Sequence, residues 1–424
     1  MVRFFAWRRM RGARSKAIIP RGSLASRQRP PYIAPSPGQG PDEHTREKTA
    51  MANRLFPEWH PQDAVQLTWP GADSDWAPML SRIEATLERM VTAIARYQRV
   101  LISVADTATR ARLTDTFAHL GVPAPRLRFC VVPSDDSWAR DHGPIGIERD
   151  GRLTLLDYRF TGWGGKFPAA RDDALNRSLA AQSVFAAPLE SRALVLEGGA
   201  IESDGEGTLL TTEACLLNQN RNPELDRAAI EARLREDFGV TRVLWLAHGH
   251  LEGDDTDSHV DTLARFCDPQ TIAYVRCDDP DDAHYAALCA MQDELKALRQ
   301  ADGTPYRLIP LPWPRPCFDP EDGHRLPATY ANFLIINGAV LVPVYGDAAD
   351  STALAALASA FPDRDLVPID CREVIRQHGS LHCLTMQLPK GSLAASHLAS
   401  AASHDADNDA DNDANSDAAA DVQE

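Results

Sequence analysis

The chain has 424 residues, 44% of them hydrophobic and 25% charged. That ordinary globular composition provides for one large or two medium domains and excludes a fibrous, collagen-like or wholly disordered protein. The formal charge of −16 argues against a nucleic-acid partner and for a cleft that attracts a small cation. The charge is unevenly spread. Residues 1–48 are strongly basic and 391–424 strongly acidic, so the two ends cancel and the intervening stretch is acidic by itself.

In chain order, residues 1–52 begin Arg-rich and continue Pro/Gly/Ser-rich, a leader expected to be disordered because it cannot build a core. No apolar run of roughly 7–15 residues follows Arg8 and Arg9, so a secretory signal is not expected. A transit-like leader and a translation start at Met51 both remain open. Strand-like runs then fall at Val65–Trp69, Val100–Val104, Leu127–Val132, Leu153–Phe160, Leu194–Glu197, Thr208–Thr212, Val243–Leu246, Ile272–Val275, Arg307–Leu311, Phe333–Ile336, Ala339–Val344, Leu366–Ile369 and Leu381–Gln387. Helical periodicity marks Trp76–Tyr97, Thr107–Leu120, Pro223–Asp237, Asp281–Arg299 and Asp350–Ala360. The first carries Leu80, Ile83, Leu87, Met90, Val91 and Ile94 on one stripe. Between two and three strands per helix is too many for a doubly wound sheet and favours repeated strand-rich α/β units over 53–390. Residues 391–424 alternate Asp with small residues, a solvated tail expected to be disordered that lacks the Gly turn and distal Glu of a calcium loop. Eight cysteines without a CxxC pair point to reduced thiols and a cytoplasmic protein. Nothing reaches the roughly 18 apolar residues of a membrane span.

Four polar segments between strands could carry chemistry. Asp135–Pro144 packs Asp136, Trp138, Arg140, Asp141 and His142 before a Gly-Pro stop, although Trp138 as core and a local Arg140 ion pair would also explain it. Glu197 ends a strand before Gly198 and Gly199, which permit close backbone approach or a plain turn. Asp254–Asp261 sets four carboxylates beside His259; on an extended segment His259 and Asp261 would share a face. A metal there would need further His or Cys partners, so no metal or other cofactor is expected. Cys383, after Gly379 and His382, is a small buried hydrophobe or a nucleophile. A thiol, a histidine and several carboxylates suit attack on a cationic, planar guanidine carbon, since carboxylates grip a guanidinium through paired charge-assisted hydrogen bonds. The same carboxylates would oppose the oxyanion of an acyl-transfer enzyme.

With Pro57-Glu58-Trp59, Leu67–Pro70, Asp136–Pro144, Phe160–Lys166, Leu196–Gly199, Leu217–Pro223, Asp257–Asp261 and Leu381–Cys383, the stretch from Phe56 to Pro389 resembles the agmatine deiminases and Porphyromonas-type peptidyl-arginine deiminases of the pentein superfamily. The resemblance implies a β/α propeller with pseudo-fivefold ββαβ units around a central active site. It implies that Cys383 is the nucleophile, His259 the acid and base, and Glu197 its orienting carboxylate. Asp141 and Asp261 would hold the guanidinium, Trp138 and Trp163 wall the substrate channel, and Asp255 meet the far amine. The expected partner is a small cationic guanidine, without nucleic acid or membrane, and a homo-oligomer is left open. Hydrolysis of agmatine to N-carbamoylputrescine is the leading expectation. Peptidyl-arginine deimination at a C-terminal arginine and a non-catalytic pentein binding protein are the alternatives. Ser258 stands where many relatives have Gly, and His378-Gly379-Ser380 where a Gly-rich run is common.

Overall fold

A computed structural model describes residues 53–395. The leader expected over 1–52 and most of the expected tail lie outside the described residues. The chain stays hydrogen-bonded just past 390: Asp63 accepts from the Gly391 N–H at 2.8 Å, and Val184 O from the Ala394 N–H at 3.0 Å.

Five sheets repeat one order, an antiparallel pair followed by a strand parallel to its second member. Ile145–Arg149 and Arg152–Arg159 form the first such hairpin, and helix Ala170–Ala181 returns the chain to the parallel strand Leu189–Val195. Glu202–Ser203, Thr208–Thr212, helix Arg227–Phe238 and Arg242–Leu246 repeat it. So do Ala264–Asp268, Thr271–Val275, helix Tyr285–Ala297 and Arg307–Leu311. Leu334–Ile336, Ala339–Val344, helix Asp350–Ala360 and Asp365–Asp370 follow. The last unit joins the two ends of the described chain. Thr385–Pro389 pairs antiparallel with Gln62–Thr68, which runs through helix Leu80–Ala95 to the parallel strand Arg99–Val104.

Local chemistry explains the punctuation. Asp150 and Gly151 both have positive φ (52° and 73°), the conformation of a two-residue hairpin turn that matches strand twist. Asp106 accepts from the Thr109 N–H and Asp226 from the Ala229 N–H, capping their helices. Helix Leu80–Ala95 buries Ile83, Leu87, Met90, Val91 and Ile94 against the strands around Val65, Leu67, Val100 and Ile102, as its stripe predicts.

Several elements depart from expectation for visible reasons. Strand Ala264–Asp268 escaped the apolar pattern because its second residue is Arg265, fully buried between Glu58 and Glu202. Helix Ala170–Ala181 buries Asp172 and Asn176 beside Leu175 and Leu179, which hides its amphipathic period. The last strand begins at Thr385, so Cys383 sits in the turn before it and not within the expected Leu381–Gln387 strand. His259 and Asp261 are not on an extended segment either; Val260–Thr262 is a 3₁₀ turn. Among the described residues no helix is long and apolar enough to cross a membrane.

Candidate active site

The repeat explains how distant motifs meet. Asp141 lies just before the first strand of its unit, and so do Glu197, the His259/Asp261 pair, Asn332 and Cys383. Five equivalent loops therefore each deliver a polar side chain. All six residues are at least 96% buried.

Asp141 belongs to a short turn, Ala139–His142, and its carboxylate accepts from the Trp163 indole N–H at 3.0 Å and the Gly199 N–H at 3.2 Å. Trp163 itself holds φ +54°, a left-handed conformation rare for a bulky side chain, and so aims its indole at Asp141. His259 Nδ1 stands 3.5 Å from Asp141 Oδ1, and Nε2 stands 3.9 Å from Glu197 Oε2. Neither ring nitrogen has a hydrogen-bond partner, and neither does Asp261 Oδ1. Such orphaned buried polar atoms are costly in a core but suit a site whose partners are a substrate and a water. The Cys383 sulfur lies 3.9 Å from Asp261 Oδ2 and 3.4 Å from Asn332 Oδ1.

Two supports escaped the sequence reading. Arg221 Nε approaches both Glu197 oxygens (3.1 and 3.3 Å), its Nη2 donates to Thr256 O at 2.9 Å, and it pairs with Asp257. It thereby ties Glu197 to the loop leading into His259. Asn332 Oδ1 accepts from the His382 and Cys383 N–H groups (2.8 and 3.3 Å), while Nδ2 donates to Asp261 O at 3.3 Å. Arg221 sits in a motif already singled out. Asn332 had no charge to mark it, and only its slot before a first strand could have revealed it.

Burial and then the Asp261 and Asp141 charges push the Cys383 thiol well above its ordinary range, so the thiol is protonated in the free protein. Burial, with Asp261 and Glu197 adding, pushes Asp141 up to about 6 against the opposing pull of His259. Burial would lower His259, but Asp141, Cys215 and Glu197 outweigh it and hold the ring well above its usual value. Asp261 would likewise be raised by burial; His382, His259 and Arg265 bring it below the carboxylate norm.

Trp138, Trp163, Asp141, Asp255 and Cys383 line one cleft of about 420 Å³ including its mouth, together with Asp75, Asp136 and Phe167. Asp136, raised to about 6 chiefly by burial, accepts from the indoles of Trp76 and Trp138 at 3.1 and 3.0 Å and so fixes the wall. Asp255 is at the rim, its carboxylate 3.7 Å from His378 Nε2. Two buried clusters have metal-like composition, Glu197/Cys215/His259 and Glu58/Glu202/His382. Arg221 already pairs with Glu197, and Arg265 with Glu58 and Glu202, so the carboxylates of both clusters are engaged by guanidinium groups.

Gly199 is packed directly against the catalytic candidates. A Cβ there would come within 2.6 Å of His259 Nδ1, 2.9 Å of Asp141 Oδ1 and 3.2 Å of Asp261 Oδ2. Gly199→Ala is expected to displace all three groups and lower kcat/KM about 10- to 100-fold, read by steady-state kinetics on agmatine. Near-normal activity would show that this approach is not needed.

A profile of the Porphyromonas-type peptidyl-arginine deiminases matches residues 54–389. The agmatine deiminase of Stutzerimonas stutzeri (strain A1501) is 37% identical over 357 residues, 78% of this chain and 94% of that protein. A Porphyromonas gingivalis structure described as a candidate arginine deiminase is 52% identical, with a TM-score of 0.75, covering 81% of this chain and all of that one. A Cys-to-Ser variant of C. jejuni agmatine deiminase, solved with substrate bound, is 38% identical with a TM-score of 0.75, covering 81% and 97%. With most of its length inside the profile and such relatives aligned over nearly their full chains, this chain belongs to the Porphyromonas-type peptidyl-arginine deiminase family.

Proposed function

We propose that the protein hydrolyses agmatine to N-carbamoylputrescine and ammonia, with Cys383 as nucleophile. The observation that carries this reading is a buried thiol facing two carboxylates, Asp141 and Asp261, beside a histidine whose ring nitrogens are unpaired. A protonated thiol between two anions is inert. A guanidinium bound there neutralises the anions, and the thiol proton leaves as the cation enters. The thiolate attacks the guanidinium carbon, and His259, already protonated, gives its proton to the departing ammonia. The neutral ring then takes one proton from water, which attacks the thiouronium carbon; the C–S bond breaks as the second water proton passes to sulfur, leaving the ureido product and the thiol. Glu197, fixed by Arg221, keeps the ring in place throughout.

The cleft also supports agmatine over a peptide. Its mouth carries Asp75, Asp136 and Asp255, and none of its lining residues is Arg or Lys. Acids suit a second amine, whereas a C-terminal arginine would bring its own carboxylate against them. We further read the five sheets as units of a pseudo-fivefold β/α propeller about this site, with 53–390 as the catalytic domain. The eight unpaired cysteines support a cytoplasmic setting. A panel of agmatine, arginine and an arginyl peptide tests the assignment by ammonia release. Agmatine is expected to lead in kcat/KM by about 100-fold or more, since like charges juxtaposed across an interface cost several kcal/mol. Faster turnover of the peptide would transfer the assignment to peptidyl-arginine deimination.

A further inference from the structure

His382 immediately precedes the nucleophile, is 1% exposed, and contacts a carboxylate through each ring nitrogen. Nδ1 is 2.7 Å from Asp261 Oδ2 and Nε2 is 2.6 Å from Glu58 Oε2. An ionised carboxylate only accepts, and a neutral imidazole donates once, so two such contacts require a ring protonated on both nitrogens. Glu58 in turn meets Arg265 Nη2 at 2.6 Å and the Ile335 N–H at 2.6 Å, with Arg140 Nη2 at 3.8 Å, and Arg265 pairs with Glu202. Asp261, His382, Glu58, Arg265 and Glu202 thus form a buried chain of alternating charge that ends at the reaction centre.

We infer that His382 is a positioning residue for deimination: as a fixed imidazolium it pins Asp261 Oδ2, keeps that carboxylate ionised, and leaves Oδ1 turned to the substrate guanidinium. The inference rests on the guanidine-hydrolase reading. Asp261 Oδ1 is the oxygen without a partner, while Oδ2 is spent on His382. The other titratable groups that face Asp261 are His259, Arg265, Arg140, Asp141 and the protonated Cys383 thiol. His382 is the largest favourable influence on the ionised carboxylate, ahead of His259 and Arg265. Without it, burial dominates and Asp261 holds a proton more readily.

The test is the pH profile of agmatine kcat/KM in His382→Gln, which keeps one N–H donor and deletes the charge. We expect a loss of about 10- to 100-fold at neutral pH. The acid limb should move up by about one pH unit or more as Asp261 begins to titrate in the working range. Labelling of Cys383 by a cationic haloacetamidine should slow by about tenfold relative to neutral iodoacetamide, because only the cation needs the ionised Asp261. Glu58→Gln, whose amide oxygen still accepts from the ring Nε2–H, should keep the acid limb where the parent protein has it. A merely structural role would lower activity in both variants without moving the limb. An unmoved limb and an unchanged labelling ratio in His382→Gln would overturn the inference. Should His382→Gln not fold, an upward shift in Glu58→Gln would overturn it and an unmoved limb would support it. Absence of agmatine turnover in the parent protein would instead sink the underlying activity, so the two failures are distinguishable.

Discussion

Cys383→Ala is expected to abolish ammonia release from agmatine, lowering kcat by about 10⁴-fold or more while leaving substrate binding intact. Both carboxylates that would hold the guanidinium, Asp141 and Asp261, are positioned by other elements, through Trp163, Gly199 and His382. Agmatine at about 100 times its Kd should therefore still stabilise the variant by about 2.7 kcal/mol, visible as a rise in Tm. The other buried thiol in the neighbourhood, Cys215, lies against Glu197 and His259 and is itself pushed up by burial, so it offers no replacement nucleophile. Turnover above about 1% of the parent rate would show that Cys383 is not the attacking atom. The same logic predicts unusual reagent selectivity in the parent protein. A cationic amidine alkylates Cys383 readily at pH 7, because it brings the charge the thiol lacks. Neutral iodoacetamide meets a protonated thiol between two anions and reacts slowly.

The candidate site residues were legible because each is polar where an apolar run stops. Glu197 closes a strand, Asp141 and His259 stand in charge-dense loops, and Cys383 follows a Gly-marked turn. What stayed hidden is what binds them together. Asn332 lies in an otherwise apolar stretch ending in Phe333–Ile336 and carries no charge, yet it holds the backbone of His382 and Cys383. Arg265 reads as an interruption of a strand because a single sequence cannot show that Glu58 and Glu202 will surround it. The long-range ion pairs that stabilise the site come from separate sheets, and no local pattern encodes them.

The same reasoning covers the fold. Strand excess pointed to repeated small units, and the five sheets share one order. The closing unit could not be read locally, since its hairpin partners are Thr385–Pro389 and Gln62–Thr68, more than 300 residues apart. Closure matters for function. It sets Cys383 beside Asp261 and Asn332 and in the same cleft as Asp141, so the proposed nucleophile would be aligned only when the last sheet has formed.

Asp141→Asn should cost far more in activity than in stability. Trp163 donates to Asp141 Oδ2 and Gly199 to Oδ1, so an amide keeps one acceptor and turns its NH2 toward the other donor. Activity should fall by about 10²- to 10³-fold in kcat/KM, because one of two guanidinium carboxylates and part of the thiolate-inducing balance are lost. Burial raises Asp141 to about 6, above its value in an unfolded chain. The folded protein therefore binds this proton more tightly than the unfolded one, and ionisation at Asp141 costs stability as pH rises from about 4 to 6. A neutral isostere removes that cost but loses one of the two hydrogen bonds and the partner charge of His259, so at pH 7.5 the variant's Tm should stay within a few degrees of the parent's. The pH profile follows with the sign reversed. In the parent protein kcat/KM declines as pH drops below about 6 and Asp141 takes up its proton. In the variant that limb disappears, and the remaining acid limb lies lower, where Asp261, held below the carboxylate norm, titrates. A variant that keeps the parent kcat/KM together with a limb near pH 6 would mean that the charge on Asp141 does not serve the guanidinium.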